Sequence, residues 1–157
     1  MTLLDAQQYD EARSRRRRNM IIAGIVVVLI LAWVAYHLRN YPERHAVDKF
    51  LTALQQNKTE AAYGILMSDP NWKQHPEKYS KYPYGEFYTD WGPAGEWGII
   101  KSHHVDCSYS SGSGVLVQAT INGRSEHAYV WVDKSDKSIH ASPDVIDCGN
   151  WWGWLTE

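Results

Sequence analysis

The chain has 157 residues, of which 44% are hydrophobic, and a formal net charge of -2. This length suits one domain of ordinary size, and the hydrophobic content argues against intrinsic disorder of the whole chain. Sixteen Lys and Arg stand against 18 Asp and Glu, so the basic surplus of a nucleic-acid-binding protein is missing and no nucleic-acid partner is expected.

The first recognisable element is the apolar segment 20–38, MIIAGIVVVLILAWVAYHL, which contains no Asp, Glu, Lys or Arg. In a helix, 19 residues rise about 28 Å, close to the hydrocarbon thickness of a bilayer. The segment is apolar on all sides, and it is longer than the apolar region of a cleaved signal peptide. We predict a transmembrane helix; a buried soluble helix and a cleaved signal peptide are the alternatives.

The flanking charges predict the orientation of this segment. Five arginines precede it, whereas only Arg39 and Arg44 follow closely, with Glu43 between them. Under the positive-inside rule the N-terminus stays in the cytoplasm and residues 39–157 are exported. We therefore predict a single-pass protein of the inner membrane with a periplasmic or otherwise extracytoplasmic domain. The lipid bilayer is then one of its partners. The five arginines are Arg13, Arg15, Arg16, Arg17 and Arg18.

Charge also divides the chain into three regions. The predicted cytoplasmic tail, residues 1–19, has a net charge of +2 and is too short to fold alone. Residues 20–38 form the predicted transmembrane helix. The exported region, residues 39–157, has a net charge of -4 and is predicted to be one domain.

Two helices are predicted at the start of the exported region. Apolar residues recur at i, i+3, i+4 and i+7 after Pro42, which is typical of a helix with one buried face. Asn57 and Glu60 have the spacing of a capping box, so we expect Asn57 to cap a second helix that ends before Pro70. The residues of the first apolar face are Val47, Phe50, Leu51 and Leu54.

Residues 70–96 are rich in aromatic rings and proline and have no simple periodicity. We predict a packed excursion with helical turns around residues 77–81 and 84–91. Most of its rings are expected to cover the open end of a sheet, because two short helices alone offer little apolar area. The other interpretation is a docking surface for carbohydrate or protein, with Trp91 and Trp97 as candidate interaction residues.

After Gly95 the pattern changes to the alternation typical of strands. Asn122-Gly123 predicts a type I′ hairpin turn, because both central positions of that turn require positive φ. Pro143 restricts the last strand to an edge or a bulge. Helices followed by antiparallel strands predict an α+β fold. The four predicted strands cover residues 99–107, 114–121, 125–133 and 138–142.

Two segments resemble nuclear-transport-factor-2-like domains. AVDKFLTALQQNKTEAAYGILMSD is similar to their opening, in which an apolar-striped helix, a short capped turn and a helix with an Ala-Tyr pair precede a curved sheet. VLVQATINGRSEHAYVWVDKSD is similar to their central strands. The resemblance covers roughly residues 42–142, and cystatin-like domains share its motifs. The resemblance implies two helices packed on a curved antiparallel sheet of about four strands. In such a cone the concave sheet face can hold a ligand, a catalytic pair or nothing. No active-site residues of the family are carried over to this sequence.

The two cysteines, Cys107 and Cys148, both lie in the exported region, where disulfides persist. A bridge between them closes a loop of about 40 residues, which stabilises a fold by on the order of 4 kcal/mol in the chain-entropy model. We predict a structural disulfide, with free thiols or metal ligands as alternatives.

The string HHVDC at residues 103–107 offers candidates for chemistry. Strand alternation places residues 104 and 106 on one face and residues 103 and 107 on the other. His104 or His127 with Asp106 are candidate acid–base residues. Histidines could also bind zinc or copper, but adjacent ones on a strand point apart. We therefore expect no metal site and no cofactor.

The C-terminal segment carries Trp151, Trp152 and Trp154 within four residues. These rings either lie back over the sheet or the first helix, or they meet a partner subunit or lipid headgroups. With no convergent catalytic set in the sequence, the leading hypothesis is a tryptophan-rich accessory, assembly or structural subunit of a membrane complex that acts by protein binding. The alternative is a small-ligand binder or acid–base enzyme of the nuclear-transport-factor-2-like type.

Overall fold

The computed structural model describes residues 11–146 and Cys148, without the side chains of residues 11–13 and His37. The chain divides into two compact units, Met1–Arg39 and Asn40–Glu157. The first unit contains one long helix, and the second contains shorter helices and a sheet.

The first unit is built around helix α1, Glu11–Leu38, whose 28 residues extend about 42 Å. The large apolar side chains between Met20 and Leu38 are exposed. By length and composition this helix could cross a bilayer, a test that a signal sequence also passes. Arg13 and Arg15–Arg18, which carry the topology prediction, lie in the same helix just before its apolar part.

The second unit is an α+β domain with an open antiparallel sheet in the order β1-β2-β3-β4. Consecutive strands are neighbours, so β1 and β4 are its edges. Two 3-10 turns, Trp72–Gln74 and Pro76–Tyr79, lie between the second and third short helices. The short helices are α2 (Tyr41–Gln55), α3 (Thr59–Leu66) and α4 (Tyr84–Trp91). The strands are β1 (His103–Ser111), β2 (Gly114–Ile121), β3 (His127–Asp133) and β4 (Ile139–Ala141).

The hydrophobic core lies between the helices and one face of the sheet, the inner face. The predicted apolar stripe of α2 is buried there, and so is every second residue of β2. Phe87 of α4 joins this core through ring contacts with Phe50 at 6.2 Å and Tyr63 at 5.2 Å between centroids. The β2 residues in this core are Val115, Val117, Ala119 and Ile121.

Asn57 does not cap α3 as the sequence predicts. Its φ of 56° is left-handed, and it ends α2 in a Schellman motif. Its N–H donates to the carbonyl of Leu54, and the N–H of Lys58 donates to the carbonyl of Ala53, both at 2.9 Å. Asparagine suits both N-caps and the left-handed position after a helix, so the capping-box spacing alone misplaces it.

The type I′ turn is present, because Asn122 and Gly123 have φ values of 55° and 65°. The ladder between β2 and β3 begins only at Thr120 and His127, so β3 is shorter than predicted. β1 also begins later than predicted, at His103. The Asn122 side chain holds the backbone of the residues just before β1. Its Oδ1 accepts a hydrogen bond from the Lys101 N–H at 2.7 Å.

A β-bulge in β1 changes which residues share a face. Cys107 pairs with Gln118 and therefore lies on the outer face, opposite the helices, together with His104. The prediction that His103 and Cys107 share a face is wrong, because the extra residue Asp106 interrupts the alternation.

The outer face has its own smaller apolar contacts. Leu116 is buried but lies outside the main core. The ring of Trp131 lies so close to Gly114 that a Cβ there would be 2.2 Å from it. Leu116 and Trp131 occupy the outer-facing positions of their strands, so this face is not simply a solvated surface.

Candidate functional site

The candidate site is a cleft of about 680 Å³, here called the aromatic cleft. It lies between the end of α3, residues 78–97 and strand β4. Its volume is in the range of roughly 300–1,000 Å³ that is usual for ligand sites. Tyr79, Tyr82, Trp91 and Trp97 contribute aromatic rings to its lining.

A hydrogen-bonded network around Asp69 fixes one wall of the cleft. The Tyr79 hydroxyl donates to Asp69 Oδ2 at 2.6 Å, and His75 Nε2 lies 3.0 Å from the same oxygen. The backbone N–H of Asn71 donates to Oδ1 at 2.8 Å. These bonds, led by that from Tyr79, lower the pKa of Asp69. Asp69 therefore ties the residues after α3 to the second 3-10 turn.

A second tyrosine–carboxylate pair fixes the other side. The Tyr82 hydroxyl donates to Asp90 Oδ2 at 2.7 Å, and burial, reinforced by Asp90, raises the pKa of Tyr82. The buried Tyr63 donates its hydroxyl to the Tyr82 carbonyl at 2.6 Å. Asp69 and Asp90 thus each accept a hydrogen bond from a tyrosine that lines the cleft.

The structure brings the sequence-predicted interaction residues Trp91 and Trp97 together in the lining of the cleft. Trp91 is half-buried and meets Phe50 edge-on, with 5.0 Å between ring centroids. Trp97 is 7% exposed and has the Arg124 guanidinium 5.8 Å from its ring centroid. Core packing holds both rings, so the lining is preformed.

The candidate acid–base residues lie elsewhere, on the outer face of the sheet. Thr120 donates to Asp106 Oδ2 at 2.8 Å, and its Oγ1 is 3.0 Å from His127 Nδ1. His127 Nδ1 is 3.5 Å from Asp106 Oδ2. His104 is exposed. None of these side chains lines the aromatic cleft, and the described residues contain no cluster of three or more His, Cys, Asp or Glu suited to a metal ion.

Sequence reasoning missed an ion pair that involves a buried carboxylate. Glu43 is 5% exposed, and Lys137 donates to its Oε1 at 2.7 Å, which joins α2 to the turn between β3 and β4. In the sequence, Glu43 stands out only as one of the charges that follow the apolar segment. Its position four residues before Val47, on the apolar stripe, is the signal that could have revealed its burial.

The structure joins Cys107 and Cys148 in a disulfide, with 5.8 Å between their Cα atoms. Because Cys107 is on β1, this bridge attaches the segment after β4 to the opposite edge of the sheet. Trp151, Trp152 and Trp154 lie outside the described residues.

The chain matches no family model, no curated protein and no solved structure. The α+β architecture therefore rests on the structure itself, and the resemblance to nuclear-transport-factor-2-like and cystatin-like domains stays a prediction.

Proposed function

We propose that this protein is a single-pass membrane protein whose extracytoplasmic domain binds another protein in the aromatic cleft, as an accessory or assembly subunit of a membrane complex. The observation that carries the proposal is the preformed cleft lined by two tyrosines and two tryptophans. Trp and Tyr are enriched in protein interfaces and dominate their binding energy.

The chemistry of the cleft favours binding over catalysis. A general acid or base works best when its pKa lies near the operating pH. Here the pKa of Asp69 is lowered and the pKa of Tyr82 is raised, so both move away from neutrality. The hydroxyls of Tyr79 and Tyr82 are already used as donors to carboxylates. These groups shape the walls of a binding site.

Three features support the membrane and compartment parts of the proposal. Helix α1 has the length and composition of a span. Arg15–Arg18 precede its apolar part, as expected for a cytoplasmic flank. The Cys107–Cys148 disulfide favours an oxidising compartment for the domain.

Site-specific photo-crosslinking in native membranes tests the docking function. A photoreactive amino acid at Thr89, an exposed position in the cleft lining, should give a discrete crosslink to another membrane-complex protein. The same amino acid at the exposed Glu126, which is not in that lining, is the matched control. Equal crosslinking at both positions, or none at Thr89, would contradict the proposal.

The cleft volume also favours a second function, binding of a small molecule. Native mass spectrometry of the full-length protein in mild detergent separates the two. A bound small molecule that is lost when Trp91 is changed to Ala would favour the second function. The acid–base alternative has no such support, because Asp106 and His127 lie outside the cleft.

A further inference from the structure

A transverse row of residues on the outer face runs from one edge of the sheet to the other. Cys107 of β1 pairs with Gln118 of β2, and Gln118 pairs with Tyr129 of β3. The N–H of Ser142, the residue after β4, donates to the carbonyl of Tyr129 at 3.2 Å. Ser142 and Cys107 therefore lie at opposite ends of the same row, three strand spacings or about 14 Å apart.

The chain after β4 returns along this row to β1. Cys148 is bonded to Cys107, with 5.8 Å between the two Cα atoms. Because Cys107 is on the outer face, the six residue steps from Ser142 to Cys148 carry the chain across that face. Six extended steps reach at most about 20 Å, which is enough for the crossing and leaves little slack. This crossing segment, residues 142–146 together with Cys148, is here called the strap.

The burial of the middle of the row agrees with this path. Gln118 and its outer-face neighbour Leu116 are 5% and 4% exposed, although both point away from the helices. Ile146 of the strap is 8% exposed and does not belong to the main core, whereas the adjacent Val145 is 70% exposed. A strap that lies on the outer face, with Ile146 turned toward the sheet and Val145 toward solvent, accounts for all four values.

Apart from the disulfide, the strap is weakly attached. Among the described residues, its hydrogen bonds are the one from Ser142 to β3 and an internal one from the Asp144 N–H to the Ser142 hydroxyl at 3.1 Å. One buried side chain, that of Ile146, must then offset the loss of backbone freedom along the whole strap. The disulfide is therefore the bond that keeps the strap closed.

The bridge is accessible at one of its ends. Cys148 is exposed, whereas Cys107 is half-buried. Thiol–disulfide exchange requires a thiolate to reach one of the sulfurs, and exposed disulfides are the labile and regulatory ones. An attacking thiolate can therefore reach the bridge at Cys148.

We propose that the strap is a redox-operated cover of the outer face, which opens when a protein dithiol in the compartment of the domain reduces the bridge. A thiolate of the dithiol attacks Cys148 Sγ, and the electrons of the S–S bond leave on Cys107 Sγ, which takes up a proton. The second thiol attacks the mixed disulfide, and Cys148 leaves as a thiolate and is protonated. The dithiol supplies two electrons and two protons and ends as a disulfide.

The reduced state exposes a surface that the oxidised state covers. The half-buried rings of Tyr129 and Trp131 lie beside Gln118 and Leu116 on this face. The main core does not include Ile146, so the strap can open while the core stays packed. None of these residues lines the aromatic cleft, and the inference therefore does not depend on docking there.

Hydroxyl-radical footprinting of the full-length protein in lipid nanodiscs, oxidised and then reduced with dithiothreitol, tests the opening. Reduction should raise the labelling rates of Leu116 and Trp131 severalfold and leave that of the buried Trp97 unchanged. Equal labelling of Leu116 in both states would overturn the proposal. A rise at Trp97 would also overturn it, because the bridge would then hold the whole domain together.

The kinetics of reduction separate a strap from a purely structural bridge. The folded protein should be reduced by dithiothreitol at a rate that does not change with urea below the unfolding transition, because the bridge is already accessible. A rate that rises with urea in parallel with unfolding would show that reduction requires global unfolding, and the proposal would be wrong.

Two neighbouring strap residues provide a matched pair of variants. Ile146→Ala removes a contact that only the closed strap makes, so the equilibrium in glutathione buffers should shift toward the reduced form by about fivefold or more. Val145→Ala changes an exposed side chain and should leave this equilibrium unchanged. Equal equilibria for the two variants would show that Ile146 does not hold the strap on the outer face and would overturn the proposal.

Discussion

Two asparagines with left-handed backbones stabilise the domain in different ways. Asn57 uses its backbone to end α2, and it is exposed. Asn122 has the same conformation at the hairpin turn, but its side chain also holds residues 97–102. Its Oδ1 accepts from Lys101 at 2.7 Å, and its Nδ2 donates to the carbonyl of Ile99 at 3.0 Å.

The same substitution should therefore have opposite effects at these two positions. Asn57→Gly should raise the free energy of unfolding by about 0.5–1 kcal/mol, because glycine adopts positive φ without steric cost. Asn122→Gly keeps that advantage but leaves the carbonyls and N–H groups of the held segment without their partner, which should cost about 1–3 kcal/mol. Denaturant unfolding of the full-length protein, followed by tryptophan fluorescence, measures both. Shifts of the same sign would contradict this account.

At the scale of elements, the strands and the helix stripe were more predictable than the cleft. The bounds of β2 agree with the sequence prediction because Gly114 and Asn122-Gly123 punctuate a clear alternation. β1 was placed too early, since Ile99 and Ile100 look like strand residues but lie within the segment that the Asn122 side chain holds. The cleft joins α3, residues 78–97 and β4, and no local pattern specifies such distant contacts.

The second 3-10 turn is attached to the residues after α3 by the hydrogen bond from Tyr79 to Asp69. The pKa of Asp69 lies below its ordinary value of 3.8 in the folded protein. A depressed carboxyl pKa contributes stability that is present above the unfolded pKa and is lost as pH falls through the folded pKa. Asp69→Asn should therefore reduce the loss of stability in acid, at some cost at neutral pH.

Thermal unfolding of Asp69→Asn and the parent protein between about pH 6 and pH 2 measures this effect. Asp144→Asn, at an exposed position in the segment after β4, is the matched control and should retain the parent's acid dependence. Parallel pH profiles for Asp69→Asn and the parent protein would show that the Asp69 network does not contribute to acid sensitivity.

For the whole molecule, the disulfide connects the two edges of the sheet through the segment after β4. Cys107 and Cys148 are 41 residues apart in sequence, so the bridge restricts a long loop in the unfolded chain. Cys107→Ser should lower the free energy of unfolding by about 2–5 kcal/mol. Cys148→Ser and the double variant should lower the free energy of unfolding by the same amount, because each of them removes the same bridge.

Mass spectrometry of non-reduced peptides should find the two cysteines linked. Quantitative alkylation of both thiols without reductant would contradict the bridge. Strictly additive losses in the double variant would also do so, because additivity implies two independent residues.

Membrane topology determines whether the aromatic cleft can meet an extracytoplasmic partner at all. Cysteine introduced at the exposed Glu126 should react with a membrane-impermeant maleimide in spheroplasts, whereas cysteine at Ala6 should react only after the membrane is permeabilised.

Changing Arg15, Arg16, Arg17 and Arg18 together to Glu removes most of the positive charge before the apolar segment, so a fraction of the molecules should insert in the opposite orientation and reverse this labelling pattern. A conservative change of the same four residues to Lys should preserve the parent pattern. Labelling at Ala6 without permeabilisation in the parent protein would place the basic tail outside and overturn the orientation, and release of the protein from membranes by alkaline carbonate would overturn the span itself.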